Sequence, residues 1–451
     1  MLNRSDAMNS FLFFQDSQFR RIVISSLFLM GAVVLAACSG TDDNKDTPVQ
    51  IVYQDWRTDW FPPMARELLD EFHAEHPNIR VFYTPDPDDL QGTMIDLMEA
   101  GTAPDVFQGC CTYFPSWAQQ GHTLDLAPLI ARDLDDTVIS EWSVAQYQGL
   151  RTESGHQFAV PKYQGALGLY YNKDLFDELD MSYPDGTWTH DDYLTAMRQL
   201  TRDTDADGVI DQWGSMLDVS WDRIQIHVNA WGGHYVDPAN SANCVMDEKP
   251  AMEALEWLRA RMWDDGVMAT FPDVKGLSTR DAFIQGKVAM VEDGSWALKD
   301  ILTRAGFRVG VAPFPIGPAR RATLATTDGF GIFAGTQHPE EAWELVKFLI
   351  SKRYGLAMAE ADFLQPARTS LVDDWVRIVK EQFPEKAADV DVAAFADGHI
   401  QGYSVIAEVF PDMTTAAALA SEAWDRILTL GLDPVESIGP VCEQIELAAS
   451  S

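Results

Sequence analysis

Basic residues are scarce in this chain: 33 lysines and arginines stand against 69 aspartates and glutamates, for a formal net charge of −36. A surface of that sign repels phosphate backbones and argues against nucleic acid as a partner. It bears on solubility and association and leaves the small ligand open. Cysteine is also rare, with 5 in 451 residues, and the spacing matches no zinc or CxxC redox motif. After the N-terminus no apolar run is long enough to cross a bilayer. Catalytic signatures are missing too: there is no GxSxG, no HExxH and no Walker-type phosphate loop. A glycosidase needs only two carboxylates across a cleft, which sequence cannot place. A secreted polysaccharide hydrolase therefore stands as the rival to the reading developed below, under which the protein is not an enzyme.

What is present begins with an export signal. Arg20 and Arg21 precede an apolar run over 22–35 that ends in Leu35-Ala36-Ala37-Cys38. A cationic flank, a short apolar core and small residues before a cleavage point read as a secretory signal over 1–37. The small residues directly before Cys38 resemble the lipobox of bacterial lipoproteins, which implies lipidation of Cys38 and anchoring at the outer face of a cell membrane. The polar stretch over 38–48 reads as a flexible tether. Met8 is an alternative start, and the paired arginines leave a twin-arginine route open.

About 410 residues follow the signal, enough for two lobes of ordinary size, and an apolar content of 46% suits a full core. Val49-Gln50-Ile51-Val52-Tyr53 predicts a buried strand, 61–73 a helix, Ile79-Arg80-Val81-Phe82-Tyr83 a strand, 90–99 a helix and 105–107 a short strand. The alternation continues with a strand at 168–171, helices at 191–200 and 251–263, a strand at 287–291 and a helix at 340–350, and the last hundred residues read as mainly helical. Such alternation predicts an α/β fold with mainly parallel sheets flanked by helices.

Several local patterns occur in a particular order: Gly101-Thr102-Ala103-Pro104-Asp105-Val106, Val160-Pro161-Lys162-Tyr163, Leu169-Tyr170-Tyr171-Asn172-Lys173-Asp174-Leu175-Phe176, and Trp231-Gly232-Gly233. Then come Phe283-Ile284-Gln285-Gly286-Lys287-Val288-Ala289-Met290 leading to Gly294-Ser295-Trp296, Pro313-Phe314-Pro315-Ile316-Gly317, and Glu341-Ala342-Trp343-Glu344-Leu345. In order and spacing this series resembles the extracellular solute-binding proteins of ABC importers, in the maltose-binding branch, from about Gln50 to Arg368. The resemblance implies two α/β lobes with a ligand cleft between them: one lobe from 49–161 plus 311–362, the other from 162–310 plus 363–451. It further implies a monomer that captures a small solute, most often a sugar or oligosaccharide, and docks on the transmembrane permease subunits. A polyol, a glycerol phosphate or a polyamine is the alternative ligand, and no cofactor is required.

Sugar recognition needs flat apolar faces and planar hydrogen-bonding groups, and ligands of open α/β sheets lie beyond strand C-termini. Trp56 past the first strand, and Gln108 and Tyr113 past the third, fit that position. Trp231 beside Gly232 and Trp296 after Gly294 are stacking candidates. The resemblance adds Lys162 and Tyr163 after the first crossover and Asp328 and Gly329 in a cleft loop, with Arg368 as a further candidate.

Two features lie outside this scheme. Asp203, Asp205, Asp207, the Val209 carbonyl and Asp211 have the alternate spacing of an EF-hand calcium loop, with Gly208 at the turn. The twelfth position is Gly214 in place of the usual bidentate Glu, and an Asx-rich turn is the plain alternative. Cys110, Cys111, Cys244 and Cys442 admit one or two disulfides, an adjacent Cys110–Cys111 bond among them, or buried free thiols.

Overall fold

In the computed structural model, which describes residues 47–449, the chain begins its fold with β1 (Val49–Asp55), an inner strand of a five-stranded sheet. Its alternating residues Ile51 and Tyr53 are fully buried, as the pleat requires of a strand with one face on a core. β1 pairs in parallel with β2 (Ile79–Pro85) and with β3 (Val106–Gly109). Parallel neighbours need crossovers, supplied here by α1 (Phe61–Glu75) and α2 (Leu90–Glu99). α1 buries Phe61, Met64, Ala65, Leu68, Leu69 and Phe72, the i, i+3, i+4, i+7 stripe that makes a helix amphipathic. The strand Gly329–Ile332 then returns antiparallel between β3 and β4 (Val160–Pro161). The helices Pro339–Leu349 and Lys352–Asp362 complete this lobe, burying Trp343 and Tyr354.

The second lobe is built around β5 (Leu167–Asn172), flanked by Met290–Gly294 and Val309–Ala312. Both neighbours run antiparallel to β5, so the parallel pairing expected for this lobe is not what forms. The flanking strands are parallel to each other, joined by the helix Leu298–Arg304, while β5 enters from the other lobe between them. The strand expected at 287–291 begins instead at Met290, because Lys287 is used in a turn, its carbonyl accepting from the Trp213 backbone N–H at 3.0 Å. Val311 and Ala312 pair with Tyr170 and Leu169, so the chain leaves the second sheet only after Ala312. The helices Trp221–Ala230, Lys249–Trp263, Met413–Trp424 and Pro434–Ala449 pack over this lobe. Among the described residues no helix is long and apolar enough to cross a membrane. Residues 1–46, on which the expected signal segment and Cys38 fall, lie outside the described residues.

Three crossing segments join the lobes, and they lie side by side. Tyr163 bridges Pro366, and Ala166 bridges Ala325. The Gln164 backbone N–H donates to the Gln365 carbonyl at 2.9 Å, and the Thr326 N–H to the Gly165 carbonyl at 3.0 Å. The buried Gln146 amide donates to the carbonyls of Tyr163 at 2.6 Å and Thr326 at 2.9 Å. Every strand of this hinge is thus satisfied by another, as buried backbone requires.

All four described cysteines are paired, Cys110 with Cys111 and Cys244 with Cys442. The second bond spans 198 residues and ties the strand Asn240–Cys244 to the last helix. A bond across so long a loop stabilises mainly by restricting the unfolded chain. In C244A/C442A we expect a loss of about 2–4 kcal/mol in urea denaturation relative to the native protein, both without reductant.

Candidate functional site

The C-terminal ends of β1, β2, β3 and β4 and the start of Gly329–Ile332 meet along one edge of the first sheet, which brings Asp55, Asp86, Gln108, Lys162 and Asp328 together. Lys162 and Asp55 form an ion pair with both side chains at 0% exposure. Asp55 also accepts from the Tyr53 hydroxyl and from the Trp56 N–H, and the Tyr53 and Tyr354 hydroxyls are 3.1 Å apart. The Lys162 ammonium sits 3.2 Å from the centroid of the Trp56 ring. Burial pulls the Lys162 ammonium below its ordinary value and pushes the Asp55 carboxyl above its own, with their mutual attraction opposing both. Lys162, expected to meet ligand, is committed in this structure to Asp55 and Trp56.

Asp86 is half-buried and accepts from Gln54 at 2.8 Å and Gln108 at 3.0 Å. Burial, with Asp55 nearby, raises its pKa. The Gln108 side chain faces inward to Asp86, so it buttresses the rim. Asp328 is buried, and its pKa is pushed up by desolvation to about 6 although Lys162 opposes the shift. Gly329 is buried where a Cβ would lie 2.9 Å from the Val160 carbonyl oxygen. Tyr163 is nearly buried and packs edge-on against Trp56. Tyr113 is half-buried, its hydroxyl 3.3 Å from the Cys110 sulfur.

The second lobe contributes Trp296 and the charges around it. Trp296 is half-buried and touches both the first-lobe core and a second-lobe cluster containing Leu167 and Phe314. Its ring lies against the backbone of Gly294, where a side chain would collide with it, so the glycine makes room for the tryptophan. The Arg223 guanidinium is 5.5 Å from the ring centroid, within the range of a cation–π contact. Arg223 and Arg280 both reach Asp293, at 3.6 and 2.8 Å. Trp231 lies elsewhere. It packs against His190 and Trp257 at 4.8 and 5.4 Å, at the end of the Trp221–Ala230 helix opposite Arg223, about 12 Å along the axis. Exposed Gly232, with φ of 82°, turns the chain after it. Arg368 pairs with Glu141 in the first lobe.

Between the lobes lies a cavity of about 390 Å³. Cys111, Gln148, Arg151 and Thr327 line one side, and Ser241 with the segment 406–411 lines the other. That segment is held to the second lobe by Glu408, which accepts from Asn229, His234, Tyr235 and Val236 at 2.6–3.0 Å. Sequence reasoning missed Arg151, Thr327 and 406–411, since no motif marks them. Arg223 and Asp293 were legible only in so far as Asp293 stands beside the Gly294-Ser295-Trp296 pattern.

The acidic loop is compact. Asp203, Asp205 and Asp211 each bring an oxygen within 4.8 Å of the others, and Asp203 accepts from the N–H groups of Ala206 and Gly208 at 2.7 Å. Asp207 is not of that group; its carboxylate accepts from the Val209 N–H at 2.8 Å.

Comparison with known proteins decides the family. The model of the bacterial extracellular solute-binding proteins matches residues 55–355. The chain belongs to that family. Among curated relatives of this solute-binding protein, a putative binding protein of Brucella abortus is 26% identical over 64% of this chain and 69% of its own length. The multiple sugar-binding protein of Streptococcus mutans is 25% identical over 74% of this chain and 79% of its own. The structure of an ABC substrate-binding protein of Listeria monocytogenes in complex with cycloalternan superposes with a TM-score of 0.74 at 21% identity, covering 89% of this chain and 99% of that one. The GacH receptor of Streptomyces glaucescens superposes at 0.69 and 21% identity, covering 90% of this chain and 99% of the other. The two-lobed α/β fold is thereby shared.

The buried ion pair yields a direct expectation. Removing one partner leaves an uncompensated charge, so Lys162→Met should destabilise the protein by about 3–5 kcal/mol at neutral pH. Burial alone then holds the Asp55 carboxyl above its ordinary 3.8, so the loss should shrink as pH falls and Asp55 protonates; urea denaturation at several pH values measures both.

Proposed function

We propose that this solute-binding protein captures a sugar or oligosaccharide between its lobes, without turning it over, and hands it as a monomer to the transmembrane subunits of an ABC importer. The observation that carries the sugar is Trp296: a half-buried indole at the meeting of the lobes, with an arginine over its ring and the arginine-paired Asp293 nearby. A saccharide ring offers a C–H face to an indole and hydroxyls to charged planar groups. The names of relatives point the same way: besides the streptococcal protein, a maltodextrin-binding protein of Bacillus subtilis is 23% identical over 77% of this chain. Ligand that contacts both lobes binds the closed form better and shifts the open–closed equilibrium about the three-segment hinge. In this reading Cys38 carries the lipid and tethers the protein at the extracytoplasmic face of the membrane.

A thermal-shift series with maltotriose, raffinose, glycerol 3-phosphate and spermidine tests the reading. A ligand at 100 times its dissociation constant stabilises by about 2.7 kcal/mol. We expect one saccharide to raise the melting temperature, Trp296→Ala to abolish the shift, and Trp231→Ala to leave it in place. A shift with spermidine or glycerol phosphate alone would remove the sugar and keep the solute-binding protein.

The acidic loop suits a structural calcium ion on its donor chemistry. Three carboxylates converge, and the Gly208 N–H donates to the first of them, leaving hard oxygen donors for the metal. Asp203, Asp205 and Asp211 would hold it, with Asp207 and the Val209 carbonyl as the remaining expected ligands. Calcium should raise the melting temperature of the native protein and not that of D203N/D211N. Equal melting in calcium and in EDTA would dismiss the site.

A further inference from the structure

The Cys110–Cys111 bond joins adjacent residues, so it closes no loop of chain and removes almost none of the unfolded state's freedom. Its contrast is Cys244–Cys442, which spans 198 residues. Nor does it hold the end of β3 in place. That is done from beneath by Phe114, fully buried, whose ring packs where a Cβ on Gly109 would lie 2.6 Å away. The Phe114 N–H donates to the Cys110 carbonyl at 3.3 Å, and Phe107, Trp117 and Phe158 complete the support. The disulfide therefore sits on a finished platform, at the sheet edge where the first-lobe strands end.

Its position is informative. Cys111 is exposed and lines the cavity between the lobes. Its φ of 59° lies in the left-handed region, which a residue other than glycine rarely adopts without constraint. Facing it across the cavity are Ile406, Ala407, Val409 and Pro411 of the second lobe. The Gln225 amide holds that segment at the Ile406 carbonyl and the Glu408 N–H, at 2.9 and 2.8 Å. Beside the sulfurs stand polar groups: the Tyr113 hydroxyl 3.3 Å from Cys110, and Thr327 and Arg151 on the cavity wall. An apolar, polarisable sulfur surface flanked by hydroxyl and guanidinium groups suits the C–H face of a sugar ring with hydroxyls at its edge.

We propose that the Cys110–Cys111 disulfide is a ligand-contacting element of the cleft, on which the apolar face of a saccharide ring rests when the 406–411 segment closes over it. The inference rests on the sugar reading above. It also makes binding sensitive to thiol reductants. A dithiol gives up two electrons and two protons; the S–S bond breaks, two thiols form, and the reductant leaves as its cyclic disulfide. The ring opens, and the rigid sulfur face is lost.

The compact unit Pro48–Ser451 is suitable for the test, since it leaves out Cys38. Affinities for maltotriose and raffinose would be measured by tryptophan fluorescence for the native unit, for C110A/C111G and for C244A/C442A. Glycine at 111 accepts the positive φ, so the loop keeps its path. We expect C110A/C111G to melt as the native unit does, since no loop was closed, and to bind about tenfold more weakly. C244A/C442A should be less stable yet bind normally until dithiothreitol is added, when it should weaken by the same factor. This reduction arm decides the matter if C110A/C111G does not fold. Equal affinity with the Cys110–Cys111 bond present and absent overturns the proposal and leaves the sugar reading standing. Binding of neither saccharide by the native unit removes the sugar reading and the proposal with it. Iodoacetamide labelling of C244A/C442A before reduction would overturn the proposal alone, because the bond would not be there.

Discussion

The ion pair between Lys162 and Asp55 joins the first stretch of chain that leaves the first lobe to the end of its first strand. Burying two charges is costly, and the cost is offset only where geometry and further hydrogen bonds are good. Here the carboxylate receives the Tyr53 hydroxyl and the Trp56 N–H as well as the ammonium, and the ammonium lies on the Trp56 ring. One contact thus fixes the start of the hinge, the end of β1 and the orientation of an indole at the rim. From Lys162 the chain runs directly into Tyr163 and Gln164, which bond the third crossing segment, so the pair also sets where the lobes pivot.

The hinge is narrow, and its segments are bonded to one another. Its backbone groups are satisfied segment by segment, with Gln146 and Gln164 filling what the backbone leaves. Rotation between lobes can then be spread over a few residues. Stability lies elsewhere, in the separate cores of the two lobes. Exposed pairs such as Arg132 with Glu340 add little in water. The excess of acid is a property of the surface and does not account for the fold.

The fold was legible wherever periodicity was strong. α2 forms over the very residues whose pattern predicts it, and α1 runs two residues further than expected. Pairing direction was not legible in the second lobe, because antiparallel placement depends on how the chain enters from the other lobe, and local pattern carries no record of that. At the site, strand ends pointed to Trp56, Gln108 and Tyr113 and the family resemblance to Lys162, Tyr163 and Asp328, and the structure places all six along one edge of the first sheet. What each does there was not legible. Burial of Lys162 and Gln108 comes from partners 107 and 22 residues away. The two tryptophans beside glycines looked alike in sequence. Helix packing draws Trp231 toward Trp257, whereas Gly294 seats Trp296 between the lobes. The 406–411 wall escaped notice because its place depends on Glu408 and on four donors from residues 229–236.

Neither lobe is built from one continuous stretch of sequence. The first lacks its antiparallel strand until Gly329–Ile332 is in hand, and the second lacks its covalent closure until Cys442 meets Cys244. A chain read from its N-terminus thus offers no finished lobe until nearly all of it is available. The same topology that makes a hinge thus postpones the closing of either core until late in the chain, so a polypeptide emerging from its N-terminus stays without a complete lobe for most of its length.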